Sequence, residues 1–345
     1  MMNYKETLLF IGKCLALSKE DKNLKVIREQ LSNGRVDWDR VVQMSTEHYV
    51  FPTLYVNLRN MDLLGFLPTG LVEFMKDVHT QNSDRNREII QQAKELDLLL
   101  KKNGIAPVFM NGSGMLLDGL YQDFGERMIC DIDLLVDSDK IKYVLEIMAR
   151  NGYQTNPSKN KRMLKKGSLR VVHSEKIAAV ELRTRVIRNR KNYMLDEFLP
   201  EVRTIKDGYH VMSYSQQMFL VVMTAYHNKH GYKCFATPLR SVYDVLLLSN
   251  KTAYFDIFTK TPEFFEKINA FLAMSNYVTD SRTIIYISSG KSAQFLGKID
   301  KLAQNPKVYQ RKIQFKLFMA QIKRRLIFNV LSRPYRGQFS YTGSH

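Results

Sequence analysis

The sequence predicts an α+β protein in which a small mixed β-sheet is flanked by N-terminal and C-terminal helical regions. Three observations predict it. Residues 1–103 place their apolar side chains at helical spacing. Between Ile105 and Arg185 the pattern changes to short apolar or β-like runs, with one helix-length segment among them. From Met212 onward helical spacing returns. The expected organisation is therefore a helical region over 1–103, an α+β core over 104–210 and a second helical region over 211–345.

The elements follow in order. Ser18 and Asp21 resemble a capped helix start, and Leu24, Ile27 and Leu31 keep helical spacing as far as Gly34. Asp37 can cap the next helix, which turns Trp38, Val41, Val42 and Met44 inward. A longer helix is expected over about Leu71–Lys102, with Gly104 where a helix ends. Ile105 to Met110 reads as a buried strand, Gly112 to Tyr121 as a turn leading into a helix, and Ile129 to Val136 as a second strand. Ser138 to Asn151 puts Ile141, Val144, Leu145 and Met148 on one helical face. Leu169–His173 and Ile177–Arg185 look like a strand hairpin. Helices are expected over Met212–Tyr226, Leu239–Leu248, Glu263–Met274 and Gln310–Val330, the last a basic amphipathic one.

Composition limits the function classes. Apolar residues make up 45% of the 345, which suits a packed core and excludes a disordered chain. No apolar run approaches the ~20 residues that span a bilayer. The N-terminus carries no basic stretch followed by an apolar block, so no secretion signal is expected. Cys14, Cys130 and Cys234 are too few and too scattered for a disulfide framework or a zinc site. Together these readings point to the cytoplasm. The net charge of +18 is concentrated. Twelve Lys/Arg and two acids fall between Lys159 and Lys191, and ten Lys/Arg and no acid between Lys301 and His345, leaving −2 for the rest. Such blocks suit an anionic partner: a nucleotide, a nucleic acid or a membrane surface.

The chemistry centres on Asp131 and Asp133. Residues i and i+2 of a strand share a face, so the two carboxylates stand side by side and Ile132 points to the core. Paired carboxylates repel unless a cation holds them, and an all-oxygen set suits Mg²⁺ with substrate phosphates. Upstream, Asn111-Gly112-Ser113-Gly114 follows a strand and opens a helix, a turn that can offer backbone N–H groups and the Ser113 hydroxyl to a triphosphate. Glu181 sits within the apolar run Ala178–Leu182 and needs a partner: a metal, a proton from an attacking hydroxyl, or Arg183 or Arg185. Arg127 can steady a phosphate or a carboxylate. His227 and His230 lie about a helical turn apart, and the nearby Lys229 and Lys233 disfavour a metal between them.

These residues resemble a family. Phe109 to Leu116, Tyr121, Arg127 and Asp131-Ile132-Asp133-Leu134-Leu135-Val136 are similar to a bacterial family of uncharacterised nucleotidyltransferases in the polymerase-β-like superfamily. Asp37-Trp38, Glu47-His48, Val180-Glu181-Leu182, and Leu239-Arg240 with Asp244 look like its flanking segments, so the likeness covers roughly residues 35–249. The resemblance implies transfer of a nucleoside monophosphate from a nucleoside triphosphate to an acceptor. It implies two Mg²⁺ ions on Asp131 and Asp133, with Glu181 completing the second site. It further implies that Gly112, Ser113 and Arg127, and basic residues such as Arg183 and Arg185, meet the nucleotide. Two positions depart from the family pattern: Asn111 stands where it carries Lys, and Arg183 where it carries His. The acceptor stays open between RNA, such as a tRNA end, and a small molecule. A non-catalytic protein that binds nucleic acid or membrane through its basic blocks is the competing reading. Oligomeric state is not legible.

Overall fold

The computed structural model describes residues 2–155, 167–187, 201–228, 231–252, 256–307 and 311. The helix expected over Gln310–Val330 and the histidine His230 lie outside these residues, Arg311 excepted, as do the parts of the Lys159–Lys191 block at 159–166 and 188–191.

Helices α1 (Tyr4–Leu15), α2 (Asp21–Ser32), α3 (Trp38–Glu47) and α4 (Phe51–Asn60) precede the long α5 (Thr69–Lys102). Asp37 caps α3 as its sequence position suggests, accepting from the Arg40 N–H at 3.4 Å. At α2 the expectation fails: the N-cap is Glu20, and neither it nor Ser18 makes a side-chain cap bond there. Gly104 closes α5 with φ +72°, the left-handed region that glycine enters at little cost.

The core follows as β1 (Val108–Met110), α6 (Asn111–Leu117), β2 (Asp131–Leu135), α7 (Ile141–Arg150), β3 (Tyr153–Thr155), β4 (Ser168–His173), β5 (Ala179–Arg183), β6 (Val202–Thr204) and β7 (His210–Met212). The strands form one mixed sheet in the order β3-β4-β5-β2-β1-β7-β6. β2 runs parallel to β5 and antiparallel to β1, while β1 runs parallel to β7. The sheet is thus wider than expected, because β3, β6 and β7 have only three residues each and show no alternation to read. β7 also straddles the 210/211 boundary suggested by composition: Val211 and Met212 end a strand instead of starting a helix.

Beyond the sheet come α8 (Tyr214–Val222), continued by a π-turn over Met223–Asn228, then α9 (Gly231–Cys234), α10 (Leu239–Ser249), α11 (Asp256–Lys260), α12 (Phe265–Thr279) and α13 (Gly290–Gln304). The helices before and after the sheet pack on each other, α1 lying against α12 and α13. The Asn23 amide donates to the Thr279 carbonyl at 2.8 Å, and Lys5 pairs with Asp300, which also accepts from Tyr277 Oη at 2.6 Å. Among the described residues no helix is long and apolar enough to cross a membrane.

Helix α5 is the spine that shapes the site. Its buried polar side chains grip the chain on its way into the sheet. Asn82 donates to the Gly125 carbonyl at 2.8 Å, Asn86 to the Arg127 carbonyl at 2.7 Å, and Arg85 to the Ile129 carbonyl at 2.7 Å. Gln92 exchanges both of its amide bonds with Ala178 at the start of β5. Loop backbone that cannot reach water is satisfied this way, and the entries to β2 and β5 are fixed.

The close approach of α1 to α12 is testable. A Cβ on Gly12 would lie 2.2 Å from the Val278 carbonyl oxygen. Gly12→Ala is expected to cost about 1–3 kcal/mol in urea unfolding, the range for overpacked cores. Gly65→Ala, whose Cβ meets nothing within 4 Å, serves as the control and is expected to be near neutral.

Candidate active site

Strand alternation builds the site. In register, Asp131 faces Ala179 of β5, and Asp133 faces Glu181 of β5 and Met110 of β1. Asp131, Asp133, Glu181 and Arg183 therefore share one face of the sheet. Ile132, Leu134, Val180 and Leu182 point to the other face and are fully buried, which pins the register, since a one-residue slip would expose them.

The face opens on a cleft of about 430 Å³. Asn111, Gly112, Arg127, Asp131, Asp133, Glu181 and Arg183 line it from the core. The end of α3 contributes Glu47, His48 and Tyr49, and the later helices contribute Thr224, Arg240 and Asp244. All three stretches of the chain thus meet there.

Within the cleft the acidic residues are not equivalent. Asp133 is nearly enclosed. Its Oδ1 accepts from Arg183 Nε at 2.9 Å and lies 2.8 Å from Arg183 Nη2, while its Oδ2 accepts from the Asn111 amide at 2.9 Å. Burial pushes its carboxyl up to about 6, against the pull of Arg183. Glu181 lies 3.2 Å from the same Arg183 Nη2 and accepts from the Ser168 hydroxyl. Burial works against the Arg183 charge, but Asp133 and Glu181 more than offset it and hold its pKa above the ordinary value. Asp131 is the open one, its side chain 28% exposed against 7% for Asp133 and 13% for Glu181. Arg170 Nη1 lies 4.0 Å from its Oδ2. Among the described residues no three His, Cys, Asp or Glu side chains converge as a ready metal cage. The donors are all oxygen, as Mg²⁺ requires, but two of the three expected ligands already share a guanidinium.

The other expected nucleotide contacts divide. Gly112 lines the cleft, and its missing side chain matters: a Cβ there would fall 2.3 Å from Arg127 Nη1 and 2.4 Å from Ile129 Cγ2. Ser113 is fully buried and does not line the cleft. Its hydroxyl donates to the Met110 carbonyl at 3.3 Å and accepts the Asp133 N–H at 3.4 Å, tying α6 to β2. Arg185 does not line the cleft either; its aliphatic stem is where a Cβ on Gly167 would land. Arg127 turns to a carboxylate: Nε and Nη2 form a fork on Asp244, both bonds 2.7 Å, and both residues are buried. Tyr121 donates its hydroxyl to the same Asp244. Sequence spacing cannot reveal this clamp, whose partners are 117 positions apart. His227 is drawn into packing, 2.9 Å from Lys267 Nζ and edge-on to Phe264.

Two cleft residues, Tyr49 and Thr224, escape a sequence reading. Tyr49 is 54% exposed with φ +58°, an unusual backbone for an aromatic residue, and carries the Arg240 guanidinium 5.1 Å from its ring centroid. Thr224, on the π-turn, has a buried hydroxyl with no partner among the described residues. Only the Glu47-His48 lead-in hints at Tyr49, and nothing marks Thr224.

Two variants probe this region. Asp244→Ala strands a buried guanidinium and is expected to cost about 3–5 kcal/mol. Arg127→Met with Asp244→Leu is expected to be more stable than Asp244→Ala in urea unfolding; equal or lower stability in the double variant contradicts the clamp. Next to it, burial raises the Glu126 carboxyl to about 7, although Tyr243 donates to it. The folded state binds this proton more tightly than the unfolded chain. Stability from Glu126 is therefore present below pH 4.5 and fades as pH rises toward 7. Glu126→Gln is expected to gain on the natural protein in melting temperature across that window and to run parallel above it.

A model of the family described as "uncharacterised nucleotidyltransferase" matches residues 34–264. No curated protein and no solved structure matches the chain. The matched span runs from α3 to the start of α12 and takes in every wall of the cleft. With two thirds of its length under that match, the chain belongs to the uncharacterised nucleotidyltransferase family.

Proposed function

We propose that the protein moves a nucleoside monophosphate from a nucleoside triphosphate to an acceptor hydroxyl or phosphate, with Mg²⁺ as the required cation. The observation that carries this reading is the alignment of Asp131, Asp133 and Glu181 on one face of neighbouring strands, at the wall of a cleft. Asp131 is the ligand open to the cleft, and Asp133 is the second oxygen donor. Bound there, Mg²⁺ supplies positive charge against the triphosphate oxygens.

The chain's own groups do the rest. The Arg127–Asp244 fork and the α5 side chains hold the entry to β2 rigid, so Asp131 is presented at a fixed point. Arg240 and the exposed Tyr49 offer a cation and a ring face to the nucleotide. Arg183 keeps the buried carboxylates compact and neutralised. The net charge of +18 favours a polyanionic acceptor, RNA, over a small molecule. Arg183 between Asp133 and Glu181 also supports a second reading, a non-catalytic member that binds nucleic acid through its basic blocks.

The test incubates the protein with each labelled triphosphate, Mg²⁺ and total RNA. Mg²⁺-dependent pyrophosphate release and label on RNA are expected, with labelling that falls steeply between low and moderate salt. Asp131→Asn with Asp133→Asn is expected to abolish release while the melting transition persists. Release that survives in the double variant removes the assignment. No triphosphate or metal affinity by calorimetry selects the non-catalytic reading.

A further inference from the structure

We propose that Arg183 is the permanent counter-cation of this site, and that the protein therefore takes one divalent ion, on the Asp131 side, and not two. The inference rests on the metal-dependent reading above and narrows it.

The carboxylate pair that a second ion needs is already occupied. Arg183 places Nε 2.9 Å and Nη2 2.8 Å from Asp133 Oδ1, and the same Nη2 lies 3.2 Å from Glu181 Oε2. The guanidinium thus bridges the two carboxylates. Their other oxygens are also engaged, Asp133 Oδ2 with Asn111 and Glu181 Oε1 with Ser168. Strand geometry makes the arrangement obligatory. Arg183 stands two residues beyond Glu181 on β5, so it must share the carboxylate face.

An arginine differs from other basic groups here because it does not shed its proton in a protein. A divalent ion arriving between Asp133 and Glu181 meets a fixed like charge in a largely water-free place, where repulsion is least screened. To admit it, Arg183 must swing out, and that side chain is only 8% exposed. Asp131 is the accessible carboxylate, with Arg170 at 4.0 Å and the Cys130 thiol at 3.6 Å as its side-chain neighbours. An ion there can recruit Asp133 Oδ2 by displacing the neutral Asn111 amide, which costs far less than expelling a cation.

The test is electron paramagnetic resonance of Mn²⁺ added to the full-length protein, alone and with an equimolar mixture of the four non-hydrolysable α,β-methylene triphosphates. The natural protein is expected to bind one Mn²⁺ per chain with an uncoupled six-line spectrum. Arg183→Gln, which keeps hydrogen bonds and loses charge, is expected to bind two ions with the exchange-coupled spectrum of a pair ~3.5–4 Å apart. Arg183→Lys, which keeps the charge, is expected to stay at one, and Asp131→Asn to lose the ion. A coupled pair in the natural protein overturns the proposal. So does a single ion in an Arg183→Gln variant whose melting transition is intact. If that variant does not fold, the natural protein and Arg183→Lys decide, and a pair in either is fatal. Protein-bound Mn²⁺ absent from every form overturns the metal-dependent reading as well, so the two failures are distinguishable.

Discussion

The fork between Arg127 and Asp244 is the interaction on which the rest of the site depends. It joins the loop before β2 to α10, two stretches far apart in the chain, by two parallel charge-assisted bonds in a water-poor interior. Tyr121 adds a third bond to the same carboxylate and lays its ring near the guanidinium. Gly112 is glycine because Arg127 and Ile129 press against its backbone. Thus the turn that opens α6, the entry to β2 and the position of α10 are set by one buried pair. Such a pair contributes less to net stability than to specificity, because desolvation offsets much of its attraction. Its role in this fold is to fix the distance between the sheet and the later helices, and hence the width of the cleft.

A second layer of control comes from α5. An exposed loop of the length between α6 and β2 can wander, but Asn82, Arg85 and Asn86 take its carbonyl groups one after another. Thr53 of α4 takes the Glu126 carbonyl as well. The helical region before the sheet is therefore part of the site's frame. It also supplies Tyr49 at the cleft wall, so the cleft is completed from elements on both sides of the core in the sequence.

Much of this was legible in the sequence. Alternation around Ile132 placed Asp131 and Asp133 on a common face, because strand periodicity is local and needs no knowledge of the fold, whereas Glu181 joins them only through the pairing of β2 with β5. The missed strands have three residues each, and β7 in particular runs into an apolar helix whose expected start absorbed Met212. Side-chain partnership was the harder matter. Arg127 reads as a partner for a phosphate or a carboxylate, and only the fold brings Asp244 beside it; the Ser113 hydroxyl, expected at a triphosphate, is instead packed between α6 and β2. The Arg183 contact sat within the same parity rule that found Glu181, yet its distance to Asp133 depends on β2 and β5 being neighbours and parallel. Thr224 carries no local signature, and Tyr49 only the hint of its neighbours Glu47 and His48, since their placement comes from helix packing.

The parallel pairing of β1 with β7 has a consequence for how the protein comes to exist. A strand at Val108–Met110 completes its second side only when His210–Met212 is available, and α1 covers its apolar face only when α12 and α13 arrive. The contacts of α1 with α12 and α13 span most of the chain, so their loop-closure entropy is met late, and folding on the ribosome cannot finish segment by segment. During synthesis the early helices carry uncovered apolar surface for most of the elongation time. The face of α1 that packs on α12 and α13 therefore stays uncovered until residues near 300 have emerged.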